Sequence, residues 1–166
     1  CDRKQLAASE QRYRSLFAHN PDLVYSFDLE GHFTSANQAL FTALNLSEAD
    51  VIGQHFADLV SSEDIEATLG HFQQASEGRP QRYELRTRPI DGRPRIFDIT
   101  NLPIVVDGNI VGVYGIAKDI TERKQQQEQL EILRRSVESS TNGVVIVDAL
   151  KPDMPIVYVN PAFERI

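Results

Sequence analysis

The chain has 166 residues, 41% of them hydrophobic and 25% charged, which fits one ordinary globular domain with further segments attached. With 17 Lys and Arg against 24 Asp and Glu, the net charge of -7 repels a phosphate backbone and excludes a general nucleic-acid surface. A single cysteine, Cys1, cannot form a disulfide within the chain, so Cys1 reads as chemically plain and the chain as cytoplasmic.

The longest apolar runs, Ile104 to Val106 and Val144 to Val147, fall far short of the roughly 20 residues a membrane span needs, so no membrane contact is expected here. There is neither an initiator Met nor a leader, and a patterned segment is still in progress at Ile166. The sequence therefore reads as a piece of a longer protein, and a membrane anchor elsewhere in that parent is compatible with it.

From Ala8 to Ala18 the pattern is amphipathic, with Tyr13, Leu16 and Phe17 at helical spacing, and Asn20-Pro21-Asp22 ends it. Leu23 to Asp28 is β-prone, Glu30-Gly31 supplies a tight turn and Phe33 to Ala36 returns, predicting a hairpin with Gly31 at positive φ. Between Asn37 and Gly78 the pattern is one of short helices, with Ala39, Leu40, Ala43 and Leu44 on one apolar face. Ser47 to Asp50 and Ser61 to Asp64 each place a hydroxyl three residues before a carboxylate, predicting two capped helix starts. The second opens a longer helix with Ile65, Leu69 and Phe72 facing inward, closed by Glu77-Gly78 and Pro80.

After Pro80 the period becomes two. Strands are predicted over Gln81 to Pro89, Pro94 to Val106 and Ile110 to Lys118, joined by hairpin turns at Asp91-Gly92 and Asp107-Gly108. The sum is an α+β fold: a five-stranded antiparallel sheet with short helices on one face, and room for a pocket between them. From Thr121 the chain is rich in Gln, Glu and Arg. Leu130, Leu133 and Val137 alternate at three- and four-residue spacing, which predicts a helix that pairs with a second copy.

The chain also repeats itself. Val24 to Asp28 matches Val144 to Asp148, and Ser35-Ala36-Asn37-Gln38-Ala39 matches Tyr158-Val159-Asn160-Pro161-Ala162, with a longer hairpin loop from Ala149 to Pro155. Four parts follow: a flanking helix over 1–20, a domain over 21–121, a connecting helix over 122–139, and the truncated start of a second module over 140–166.

Ser9 to Phe17, then Gly31, the strand ending Asn37-Gln38-Ala39, and Val51-Ile52-Gly53 together resemble the PAS family of bacterial sensor domains. Gly112 to Lys124, with Asp119-Ile120-Thr121-Glu122-Arg123 at its centre, is similar to the motif with which PAS modules hand over to a signalling helix. The resemblance implies the PAS fold, a pocket between sheet and helices, a homodimer formed through the flanking helices, and an output domain in the same parent chain. The family's usual outputs are histidine kinases and cyclic-di-GMP synthases or phosphodiesterases. Asp153 to Phe163 resembles modules that precede the cyclic-di-GMP enzymes, and that output is the one expected.

At the position where flavin-binding members carry a reactive cysteine this chain has Phe56, and the expected glutamine on the last strand is Tyr114, which argues against flavin. Of the four histidines considered as haem ligands, His19 lies beside a breaker, His32 in a turn and His55 at the pocket rim; only His71, beside Phe72 on the long helix, points toward the interior. Haem is not expected. A small organic ligand would meet the inward-facing side chains Tyr25, Phe27, Phe41, Leu44, His55, Phe56, Phe72, Tyr83, Phe97, Ile99, Asn101 and Tyr114, each of which also reads as plain core. Asn101 stands apart, because a buried amide needs partners.

Asp119 ends the last strand and Thr121 begins the helix, so both side chains can bond backbone groups freed at the junction and relay movement to Leu130, Leu133 and Val137. Arg82, Arg86, Arg88, Arg93 and Arg95 are read either as an anion site or as a solvated outer face, with Arg82, Glu84 and Arg86 outward. No nucleotide loop, nucleophile elbow or metal spacing is present, so no catalytic residues are assigned. A module that binds nothing and only dimerises and relays is the alternative function.

Overall fold

The computed structural model describes residues 2–166, so Cys1 lies outside the described residues. The chain divides into two compact units, the first running to Thr121 and the second from Glu122 to Ile166.

The first unit opens with α1 (Asp2–His19), which starts earlier than its amphipathic stretch predicts. Its first turns hold Lys4, Gln5, Leu6 and Ala7, which favour a helix intrinsically but form no apolar face for periodicity to detect. Then come β1 (Leu23–Phe27), β2 (Phe33–Ala36), α2 (Gln38–Leu44), α3 (Glu48–Val51), a 3-10 turn at Phe56–Asp58, α4 (Ile65–Ser76), β3 (Gln81–Arg86), β4 (Ile96–Val106) and β5 (Asn109–Asp119). The five strands form one antiparallel sheet in the order β2-β1-β5-β4-β3.

The turns follow from their residues. Asp91-Gly92 and Asp107-Gly108 each place two successive residues at positive φ, 51° and 79° in both cases, the geometry of the two-residue hairpin turn. Ser47 and Asp50 form a complete capping box at α3. The second predicted cap does not form. The residue at the cap of α4 is Asp64, whose side chain makes no cap bond and instead accepts from the Arg86 backbone N–H at 2.8 Å. An ion pair with β3 thus takes the carboxylate, and Ser61 to Asp64 is a turn before the helix. Leu69, placed inward by its sequence spacing, is 43% exposed, and α4 buries Thr68, Phe72 and Ala75 in its place.

The core lies between the inner sheet face and α2, α3 and α4. Phe27 is its centre, with ring centroids of Phe33 at 4.7 Å, Tyr25 at 5.1 Å, Phe56 at 5.3 Å and Phe72 at 5.8 Å, in tilted and edge-on contacts.

One buried amide joins the elements. Asn37 Oδ1 accepts from the backbone N–H of Val24 at 3.1 Å and of Leu40 at 3.3 Å. Its Nδ2 donates to the carbonyls of Phe17 at 3.1 Å and Asp22 at 3.0 Å, with that of Asn20 at 3.3 Å.

The second unit contains α5 (Thr121–Glu138) from Glu122 on, β6 (Val145–Val147) paired antiparallel with β7 (Ile156–Val159), and α6 (Pro161–Glu164). Asn160 repeats the role of Asn37. Its Oδ1 accepts from Val144 N–H at 2.8 Å and Phe163 N–H at 3.1 Å, and its Nδ2 donates to the carbonyls of Val137 at 3.0 Å and Asn142 at 2.9 Å. The sequence repeat is therefore a repeat of one hydrogen-bond hub.

Replacing Asn37 by Ala strands several buried backbone groups at about 1–3 kcal/mol each, so a loss of roughly 3 kcal/mol or more is expected in urea unfolding. Asn37→Asp is expected to be no milder, because it turns a carboxylate oxygen toward the carbonyls that Nδ2 now serves.

Candidate functional site

Strand alternation decides which side chains meet the helices. On β1 the inward residues are Leu23, Tyr25 and Phe27; on β3 they are Tyr83 and Leu85; on β4, Phe97, Ile99 and Asn101; on β5, Val113, Gly115 and Ala117. Between them and the helices lies a cavity of about 60 Å3.

Nine of the twelve predicted pocket residues line it: Tyr25, Phe27, Leu44, Phe56, Phe72, Tyr83, Phe97, Ile99 and Asn101. The other three do not. Tyr114 faces the opposite side of the sheet, where its hydroxyl accepts from that of Tyr13 on α1 at 3.2 Å. It pairs there with Leu102 and Ser26, on the outward parity of the strands. His55 caps the 3-10 turn, its Nδ1 accepting from Ala57 N–H at 3.1 Å while its ring stacks on Phe56. Phe41 is partly buried against the core but does not line the cavity.

The lining also includes residues that sequence reasoning missed, among them Phe33, Leu40, Leu59, Val60, Thr68 and Thr87. Phe33, Leu40 and Thr68 carried an available signal, since each falls on the inner face of its own strand or helix. Leu59 and Val60 follow the 3-10 turn, and Thr87 lies in the bridge that joins Val60 to the end of β3, where no periodicity applies.

Tyr25 lies flat across its strand neighbour. A methyl group on Gly115 would fall 2.0 Å from the Tyr25 ring, so only glycine lets that ring cover β5. Burial pushes the Tyr25 hydroxyl far above the ordinary tyrosine range and carries Tyr83 up to about 12, against the opposing effect of the Asn101 hydrogen bond. Both stay protonated at neutral pH, and no charged side chain lines the cavity.

Asn101 is 1% exposed, and its Nδ2 donates to the Tyr83 hydroxyl at 2.9 Å. No protein group donates to its Oδ1. The two threonines of the lining are engaged within the protein: Thr68 Oγ1 donates to the Asp64 carbonyl at 2.7 Å, and Thr87 Oγ1 to that of Arg88 at 2.8 Å.

The histidines are engaged elsewhere. His71 stacks on Tyr83 with centroids 4.2 Å apart and shares a 2.9 Å hydrogen bond with Gln81 Oε1, so it turns away from the cavity. His32 sits 3.4 Å from the Asp28 carboxylate. Among the described residues no group of histidines, cysteines and carboxylates could hold a metal ion. Three of the clustered arginines are paired, Arg82 with Asp98 on β4, Arg86 with Glu63 and Asp64 in the turn before α4, and Arg95 with Asp119 at the end of β5.

At the end of β5 the Asp119 Oδ1 accepts from Thr121 N–H at 2.9 Å and from Thr121 Oγ1 at 2.6 Å, while Oδ2 takes Arg95 Nη1 at 3.2 Å. Thr121 Oγ1 accepts from Ile96 N–H at 2.9 Å, and Ile120 N–H donates to the Ile96 carbonyl at 2.9 Å. The first residue of β4 therefore grips the first residue of α5. Further along α5, Leu130 and Leu133 are exposed, and the Val137 carbonyl bonds Asn160 as described above.

With this geometry in hand, comparison with known families matches the PAS fold over residues 17–125 and a PAS domain over residues 131–166. The chain belongs to the PAS family. Its sheet and helices are those of a PAS domain, and residues 131–166 of the second unit match a further PAS domain. The PAS domain of a protein from Colwellia psychrerythraea is similar at 27% identity and a TM-score of 0.63, over 69% of this chain and 98% of that one. A domain of a sensory box sensor histidine kinase/response regulator from Geobacter sulfurreducens matches at 25% identity and a TM-score of 0.57, over 69% and 96%.

Among curated proteins, the aerobic respiration control sensor protein ArcB of Escherichia coli is 29% identical over 71% of this chain. The methanogenesis regulatory histidine kinase FilI of Methanothrix harundinacea is 24% identical over 80%. The chain spans 15% of the length of each. No helix among the described residues is long and apolar enough to cross a membrane.

Gly115→Ala is expected to push the Tyr25 ring off β5 and cost about 1–3 kcal/mol, read as a lower urea midpoint. Burial raises the Asp119 pKa, but the Thr121 donors and Arg95 outweigh it and hold the carboxyl below its ordinary 3.8. A lowered carboxylate stabilises the fold above the ordinary value and loses that contribution as pH falls through the depressed one. Wild type should exceed Asp119→Asn in stability near neutral pH, with the difference closing in strong acid.

Proposed function

We propose that the first PAS unit takes up a small organic ligand between its sheet and helices and signals this through α5 to an output domain of the same parent chain. The observation that supports it is the double role of β4. Phe97, Ile99 and Asn101 line the cavity, while Ile96, at the start of the same strand, bonds Thr121 at the head of α5. A ligand that favours one position of β4 biases the junction by as much as its affinity differs between the two positions, and by no more.

The parent output is read as a histidine kinase, in keeping with a relative named as one; the likeness of Asp153 to Phe163 to modules preceding cyclic-di-GMP enzymes gains no support from these relatives. Two copies pair through α1 and α5, where Leu130 and Leu133 are 71% and 65% exposed on a helix whose only other large apolar residues are Ile132 and Val137. We place this machinery in the cytoplasm, without nucleic acid as a partner. The small cavity volume favours a second reading, in which the unit binds nothing and relays motion alone.

Native mass spectrometry of the 166-residue chain tests both. A dimer retaining a discrete small mass is the expected result; a bare dimer shifts the reading to the relay, and a bare monomer overturns the helix pairing. In the full parent, Asp119→Ala should uncouple input from output at unchanged fold, and unaltered regulation would remove the junction from the pathway.

A further inference from the structure

The cavity described above is uncharged and small, and its polar lining is limited to Thr68, Thr87, Asn101 and the Tyr25 and Tyr83 hydroxyls. Asn101 Oδ1 is buried on β4 with no donor from the protein, beside the hydroxyl of Tyr83 that its own Nδ2 engages. Across the ladder Asn101 faces Gly115, which has no side chain to offer, and the Tyr25 ring covers that glycine. A buried amide oxygen left unpaired costs about 1–3 kcal/mol, which a ligand recovers only by bringing a donor to it. An ion entering here would find no opposite charge and would bear its full desolvation cost.

Size narrows the class further. A space of about 60 Å3 holds roughly four to six non-hydrogen atoms when each water-sized group occupies one probe sphere. A hydroxyl fits the polar end, since it can donate to Asn101 Oδ1 and accept from the Tyr83 hydroxyl together.

Resting on the ligand-binding reading above, we propose that this cavity selects small neutral molecules with a short apolar body and one hydroxyl, and that Asn101 is the residue that reads the hydroxyl. The route of entry is set by Leu44 and Leu59. Both line the cavity and also a surface cleft of about 270 Å3 bordered by Arg88 and Asp91, so a ligand passes between these two leucines.

The test compares 1-butanol with diethyl ether, isomers that differ in the O–H donor, by titrating each into the 166-residue chain while following the methyl signals of Leu40, Leu44 and Leu59 by NMR. Wild type should bind the alcohol about tenfold more tightly than the ether. In Asn101→Leu, which replaces the amide by a side chain of similar size, that preference should vanish while the methyls still respond. If Asn101→Leu does not fold, Tyr83→Phe, at a half-buried position, should also reduce the preference.

Equal binding of both isomers to wild type, with the methyls shifting, keeps the ligand-binding reading and overturns selection by Asn101. A preference that survives in Asn101→Leu, or in Tyr83→Phe where only that variant folds, overturns it as well. If neither isomer moves the methyls, the ligand-binding reading and the proposal fall together.

Discussion

The side chain of Asn37 sits where α1, β1 and α2 meet, and its amide bonds backbone from each of them. Being 2% exposed, it cannot exchange these partners for water, so the three elements keep one relative geometry or lose several hydrogen bonds at once. The packing follows from that geometry. With β1 fixed, Tyr25 and Phe27 face the helices, Phe27 becomes the centre of the aromatic cluster, and the cavity is what remains between that cluster and β4.

Most of this was legible in the sequence where chemistry is local. The Asp-Gly turns, the α3 capping box and the alternation of Arg82, Tyr83, Glu84 and Leu85 each act through neighbouring residues, and each appears in the fold. Tyr114 shows where local reading fails. Its strand turns Val113, Gly115 and Ala117 inward, and the Tyr25 ring from β1 fills the space above Gly115. The most conspicuous side chain of β5 is thus on the outer face, and only the register against β1 reveals it. His55 and Asp64 misled because each side chain is engaged within the fold, His55 by the Ala57 N–H two residues on and Asp64 by Arg86 on β3.

The cavity's shortage of polar groups and the dense hydrogen bonding of the junction are complementary. In the ligand-binding reading proposed above, a site without charge would discriminate by shape and by hydrogen bonds to Asn101 and the tyrosine hydroxyls, so the free energy it would deliver to β4 is small. A small input is effective only if little is lost on the way. Ile96 N–H to Thr121 Oγ1, and Asp119 to both Thr121 groups, leave few soft torsions between the strand that lines the cavity and the helix that leaves it.

That helix has little stability of its own. No residue of α5 is buried, and its visible support along the exposed faces is i,i+4 pairing, as between Arg134 and Glu138 and between Arg135 and Glu131. Such pairs contribute only about 0.2–0.5 kcal/mol each, and an isolated helix of this length is marginal in water. Its order therefore depends on its ends: the Asp119 and Ile96 contacts at Thr121, and Asn160, which takes the Val137 carbonyl as Asn37 takes that of Phe17 in α1. Between those ends Leu130, Ile132 and Leu133 are exposed. In the pairing proposed above, burial of Leu130 and Leu133 against a second copy would supply the stabilisation that the helix lacks alone. The repeated asparagine then gives the next module the same fixed attachment to its incoming helix that the first module has to α1.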